Sequence, residues 1–312
     1  MARSDVPVVI EAAINGAASK QHNPHVPISP DEHVADILAV IDAGAAIVHH
    51  HDDLPPGATA EDLAVVAGGV FRSVLAQRPD ALCYPATVWG TTIDRRLRHH
   101  RLLAEQGLLR VAFCDPGSTN LGAADADGLP APTDFVYVHS PREIRWWFDE
   151  LGDLELGPMY SIFEPGFLRV PLAFERAGRL PRGSFAKLYF AGGGDDGRAW
   201  AFGMPPVAAC LDAYLAMLDG SQMPWAVAVL GGDVFETGLA RLALERGGHL
   251  RVGLEDHVGD ATPTNAEIVQ RAVELCNEVG RPVATPDEAA ELLDVPRPRA
   301  SMAAAADPVA TP

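Results

Sequence analysis

Short runs of β-branched and other apolar residues alternate along this chain with longer stretches whose apolar positions recur at helical spacing. That is the pattern of repeated strand–helix units. Eight strands are predicted, at 7–13, 45–51, 81–87, 108–114, 157–163, 184–190, 224–230 and 249–255. The helices between them carry chemical start marks. Ser29-Pro30-Asp31-Glu32 joins a capping hydroxyl to a proline at the first helical position and a glutamate that can reach back to the cap. Ser140-Pro141-Arg142-Glu143 repeats the arrangement, while Thr264-Asn265-Ala266-Glu267 and Thr285-Pro286-Asp287-Glu288 open two more helices. Gly44, Gly107 and Gly280 read as helix stops.

Eight such units predict a single-domain (β/α)8 TIM barrel over residues 1–295, close to the usual length of about 250 residues for that fold. The apolar run 135–138 is assigned to a long connection after the fourth strand. A doubly wound open sheet would want a glycine-rich turn after the first strand, and Ile14-Asn15-Gly16-Ala17 matches that poorly. Residues 296–312 are rich in proline and alanine with nothing to pack, which predicts a disordered tail.

Composition narrows the class. Of the 312 residues 48% are hydrophobic, and the apolar run 224–230 is far too short to cross a bilayer. The N-terminus lacks an extended apolar segment, so no signal peptide is predicted and a cytoplasmic location is expected. A net charge of −18 opposes binding to nucleic acid or to an anionic membrane. Cys83, Cys114, Cys210 and Cys276 form no ligand-spaced pair and read as free thiols.

The candidate chemistry lies at two strand ends. The second strand closes on His49-His50-His51. Alternation puts His49 and His51 on one face and His50 on the other. The eighth reads His249-Leu250-Arg251-Val252-Gly253-Leu254-Glu255-Asp256, whose apolar face (Leu250, Val252, Leu254) suits packing under helices. Its other face sends His249, Arg251 and Glu255 inward, where branched aliphatics are the rule. An inward arginine and glutamate are costly unless they serve each other, a metal or a substrate. Two imidazoles and a carboxylate with one open position form a common catalytic zinc set, and barrel closure separates the second and eighth strands by only the first. A bare Arg251–Glu255 ion pair and a solvated histidine pair are the alternatives.

Three segments together, Asn23-Pro24-His25-Val26-Pro27, 43–51 and Arg251-Val252-Gly253-Leu254-Glu255-Asp256, closely resemble the β-keto acid cleavage enzymes. Gly117-Ser118-Thr119-Asn120, Phe163-Glu164-Pro165-Gly166 and Pro224-Trp225-Ala226-Val227 extend the likeness in the same order. The resemblance implies a zinc-bearing (β/α)8 barrel that condenses a β-keto acid with acetyl-CoA, as a homo-oligomer (dimer or tetramer). It implies His49, His51 and Glu255 as zinc ligands, Asp256 as general base and Arg251 as its electrostatic partner. Thr87, Ser118, Asn15 and Glu11 are expected on the substrate side. No acetyl-CoA ligand is assigned, although residues 192–198 could offer backbone N–H groups or Arg198.

The chain departs from the family pattern at Asp52-Asp53, where an arginine is usual, at Ala18, where members handling amino-substituted keto acids carry an acidic residue, and at Ala86 in place of serine. A neutral, largely apolar substrate tail, packed on Trp89, is therefore expected. His99 and His100 are assigned to a solvated basic helix at 95–101, His139 to the vicinity of a helix cap and His257 to the neighbourhood of the Glu255-Asp256 pair. Three rivals remain. An amidohydrolase-like hydrolase would place its histidine pair on the first strand, and an Fe(II) oxygenase would favour an antiparallel barrel. A non-catalytic metabolite-binding barrel would not need the base.

Overall fold

A computed structural model describes residues 5–89, 92–125, 127–192, 202–259 and 261–297. The expected tail beyond 297 and most of the 192–198 loop lie outside the described residues. Strands and helices alternate as β1 (Ile10–Ala13), α1 (Pro30–Ala43), β2 (Ile47–His50), α2 (Ala60–Leu75), β3 (Leu82–Pro85), the short α3 (Ile93–Arg96) and α4 (Arg98–Glu105), and β4 (Val111–Cys114). They continue as α5 (Pro141–Asp153), β5 (Gly157–Ile162), α6 (Pro165–Arg176), β6 (Phe185–Ala191), α7 (Ala208–Met217), β7 (Trp225–Leu230), α8 (Leu239–Glu245), β8 (His249–Val252), α9 (Asn265–Val279) and α10 (Pro286–Leu292).

The strands pair in parallel in the order β3-β2-β1-β8-β7-β6-β5-β4. Pairing of β1 with β8 brings the first and last strands together. β3 and β4 lie alongside each other, but no hydrogen-bonded ladder joins them among the described residues. The result is a single-domain (β/α)8 barrel. Among the described residues, no helix is long and apolar enough to cross a membrane.

All four expected capping boxes form. Ser29, Ser140, Thr264 and Thr285 each accept from the backbone of the glutamate three residues on, whose side chain returns to the cap N–H. Gly44 and Gly280 end α1 and α9 in the left-handed conformation. The apolar run 135–138 falls within the β4–α5 connection, where Tyr137 bridges antiparallel to Thr119. One assignment is corrected. His99 and His100 are buried rather than solvated, because Arg96, His99, His100 and Leu103 share the inner face of α3 and α4 while Arg95, Arg98 and Arg101 face water. Burial lowers the His99 imidazole to about 4.

The strand carrying Arg251 can turn at its end only through glycine. Gly253 has φ 131°, and a Cβ there would sit 2.1 Å from the Ala13 carbonyl oxygen. We expect Gly253→Ala to destabilise the barrel by at least about 1–3 kcal/mol, read as a lowered urea midpoint. A midpoint within error of the parent would refute this account of the turn.

Candidate active site

Parallel pairing sets Glu11 of β1 beside Arg251 of β8, and His49 of β2 beside Tyr84 of β3. The barrel interior therefore holds a polar network where aliphatic layers are usual. The Arg251 side chain is 1% exposed and meets three carboxylates: Glu11 Oε1 at 2.6 Å, Glu255 Oε1 at 2.9 Å and Asp256 Oδ2 at 2.8 Å. Glu11 also accepts from the Tyr84 hydroxyl at 2.6 Å and from Lys187 Nζ at 3.3 Å, and Lys187 donates to Tyr84 at 2.7 Å.

His49 and His51 share one face of the strand end, as alternation requires. Their rings lie 5.0 Å apart, and each Nε2 is 3.5 Å from a different oxygen of Glu255. His49 Nδ1 faces the Tyr84 carbonyl at 3.3 Å, which fixes a proton there and leaves the Nε2 lone pair toward Glu255. Burial pushes the His49 imidazole well below its usual value, so it stays neutral, as a ligand must be. Burial alone would raise the Glu255 carboxyl, but Arg251 and then the two histidines outweigh it and hold it well below the usual range. Glu255 Oε2 has no hydrogen-bond partner, and one donor atom from each of the three residues falls within 4.8 Å of the others. Two imidazole nitrogens and an ionised carboxylate converging this closely fit a divalent transition metal. Gly16 makes the room: a Cβ there would lie 2.1 Å from Glu255 Cγ.

These groups border a cavity of about 200 Å3 that opens at the C-terminal ends of the strands. Thr87 and Trp89 line it, together with Leu121 and Phe163. The other expected substrate-side residues do not. Glu11 is fully buried beneath the network, and Ser118 Oγ is spent on the backbone of His139. Asn15 clamps the His51 peptide in both directions, accepting from its N–H at 2.8 Å and donating to its carbonyl at 2.7 Å. Its role is to hold a strand end. Asp256 does not line the cavity, is 3% exposed and accepts from Arg251 Nε. There burial raises its carboxyl to about 6, with Arg251 opposing and Glu255 adding to the rise.

Sequence reasoning passed over Asp115, Tyr137, Lys187 and Tyr189, all of which line the cavity. Asp115 directly follows β4, so its position at a strand end was a legible signal. It accepts from the Tyr137 hydroxyl and keeps Oδ1 without a partner.

The sequence model of the β-keto acid cleavage enzymes matches residues 7–295. The chain belongs to that family. The 3-keto-5-aminohexanoate cleavage enzyme of Fusobacterium nucleatum subsp. nucleatum is 28% identical over 92% of this chain and 98% of its own. The 3-oxoadipate:acetyl-CoA acetyltransferase of Cupriavidus necator is 30% identical over 93% of this chain and 95% of its own. Among solved structures, apo ObcA superposes with a TM-score of 0.64 at 17% identity, covering 87% of this chain and 66% of that one, a likeness of fold alone.

Because one guanidinium neutralises three buried carboxylates, Arg251→Met should destabilise the protein by about 3–5 kcal/mol. Glu11→Gln, which removes charge but keeps shape, should cost less. Urea denaturation of both variants checks the order, and a reversed order would displace Arg251 from the centre of the network.

Proposed function

We propose that this chain condenses a β-keto acid with acetyl-CoA, releasing acetoacetate and a new acyl-CoA, at the cavity bordered by His49, His51 and Glu255. The observation that carries this reading is the convergence of two imidazole nitrogens and an ionised carboxylate on a cavity at the strand ends, in a chain of this family. Relatives named for acetyl-CoA transfer support the co-substrate. The exchange balances: the acyl group of the keto acid moves to CoA sulfur, and the acetyl group takes its place on the carbon bearing the carboxylate.

A zinc ion held by His49, His51 and Glu255 supplies, when bound, Lewis-acid polarisation of the keto carbonyl. Asp256 is the base for the C2 proton. Burial leaves its carboxyl near 6, ionised at neutral pH yet more basic than a solvated aspartate. Arg251 holds Asp256 in place with one edge of its fork and Glu255 with another, so the base and the ligand are positioned by the same side chain. Asp115 offers a second reading for the base, since it lines the cavity with one oxygen unpartnered.

The experiment is acetoacetate release from acetyl-CoA and a panel of β-keto acids, with metal content measured alongside. Activity should rise with pH through about 6, as Asp256 must lose its proton to act. Asp256→Asn should keep its metal and lose about 10²–10⁴-fold in turnover, whereas His49→Ala should lose metal and activity together. If Asp115→Asn rather than Asp256→Asn abolishes the low-pH limb, the base is Asp115. No acetoacetate from any keto acid at full metal loading would sink the reading.

The wall formed by Ala86, Trp89, Leu121 and Phe163 favours a neutral, apolar tail. Burying an unpaired ammonium there costs several kcal/mol, so 3-oxohexanoate should exceed 3-keto-5-aminohexanoate in kcat/KM by about 10²-fold or more. A ratio near one would show that a carboxylate in the cavity, Asp115 first among them, receives the amine.

A further inference from the structure

The alternation that turns His49 and His51 into the barrel turns His50 out of it, into the layer between β2 and the helices. There His50 meets His33 of α1, with ring centroids 4.9 Å apart, and the edge of Phe71 of α2 at 5.4 Å. Asp52, just past the strand, completes the group. Its Oδ1 is 3.7 Å from His33 Nδ1 and its Oδ2 is 3.3 Å from His50 Nε2, and no side chain of the three is more than 1% exposed. One donor atom from each lies within 4.8 Å of the others. His33 Nδ1, both nitrogens of His50 and both oxygens of Asp52 lack hydrogen-bond partners.

Such a carboxylate is costly in a protein interior unless a positive charge accompanies it. Its ion-pair neighbours are the two imidazoles. The amide of Asn15 spends its hydrogens on the carbonyls of His51 and Pro27, at 2.7 and 3.1 Å. The same Nδ2 lies 3.2 Å from His33 Nε2, and burial lowers the His33 imidazole to about 4. The neutral ring faces Asp52 through Nδ1 at 3.7 Å, beyond hydrogen-bonding reach. A buried carboxylate and two imidazoles that converge without hydrogen-bonding to one another are a donor set that a cation would satisfy. His99, whose Nε2 is also buried without a partner, feels the Asp52 charge from α4 and stands near as a further donor.

We propose that His33, His50 and Asp52 form a second divalent transition-metal site, behind the strand whose other face carries His49 and His51. Two imidazoles and one carboxylate select a borderline ion such as zinc over magnesium or calcium. An ion there ties α1 to the end of β2. Asn15, which touches His33 and clamps the His51 peptide, links the site to the opposite face. The role is structural: the site fixes the strand end on which the other histidines stand.

The test is zinc stoichiometry of the full-length protein, stripped with chelator, reloaded with zinc alone and freed of excess by gel filtration. Wild type should hold two equivalents, His33→Phe one and His49→Ala one. Asp52→Asn serves as the second variant should His33→Phe fail to fold. Zinc should also raise the urea midpoint of His49→Ala, which keeps the proposed site, and leave that of the His33→Phe, His49→Ala double variant unmoved. A single equivalent in wild type that is lost in His49→Ala and kept in His33→Phe and Asp52→Asn overturns the proposal. A single equivalent lost in His33→Phe and kept in His49→Ala upholds it and removes the metal from the catalytic reading instead. Two equivalents unchanged by either His33→Phe or Asp52→Asn also overturn it.

Discussion

The Arg251 guanidinium is the charge on which the interior of this barrel depends. Glu11, Glu255 and Asp256 converge on it from β1 and from the turn after β8. With Lys187 as the second buried cation of the network, three negative charges face two positive ones. The remainder is negative and lies at the strand ends, beside two imidazoles. An electrostatic imbalance of that sign, in a site shielded from water, is what draws a metal cation and tolerates it. The same guanidinium lets adjacent residues differ. Glu255, also facing His49 and His51, is held well below the usual carboxyl range, while Asp256, more deeply buried and pressed by its neighbour's charge, is raised to about 6.

Much of this was legible before any coordinates. The strand runs, the capping boxes and the glycine stops each rest on local chemistry, and local chemistry survives folding. The alternation rule placed His49, His51 and His50 on their proper faces from three letters of sequence. What sequence reasoning missed depends on register or on reading one face at a time. Glu11, Tyr84 and Lys187 come from three strands far apart in the chain, and only the shear of the closed sheet brings them together. The misplacement of His99 and His100 has a different origin. The 3–4 residue spacing of Arg96, His99, His100 and Leu103 marks an inner face, but the arginines interleaved with it dominate the composition of the segment. Asn15 and Ser118 were expected at the substrate, yet both spend their polar atoms on backbone and act by holding neighbouring segments in place.

The polar core also bears on which rival readings survive. The amidohydrolase-like barrel wanted metal-binding histidines on β1, and that strand contributes Glu11 as the partner of Arg251 instead. An oxygenase fold wanted antiparallel strands, and every ladder here is parallel.

The seam between β3 and β4 has a mechanical meaning. Around the rest of the circumference, widening the barrel means stretching backbone hydrogen bonds, and that resists strongly. Between β3 and β4 no such ladder has to yield. The residues that follow these two strands, Thr87 and Trp89 on one side and Asp115 on the other, are wall residues of the cavity. The compliant stave of the barrel is thus the one that carries the Trp89 and Asp115 wall of the cavity, while the side that carries His49, His51 and Glu255 is stiff. A scaffold built this way can change the girth of that wall without disturbing the distances among His49, His51 and Glu255.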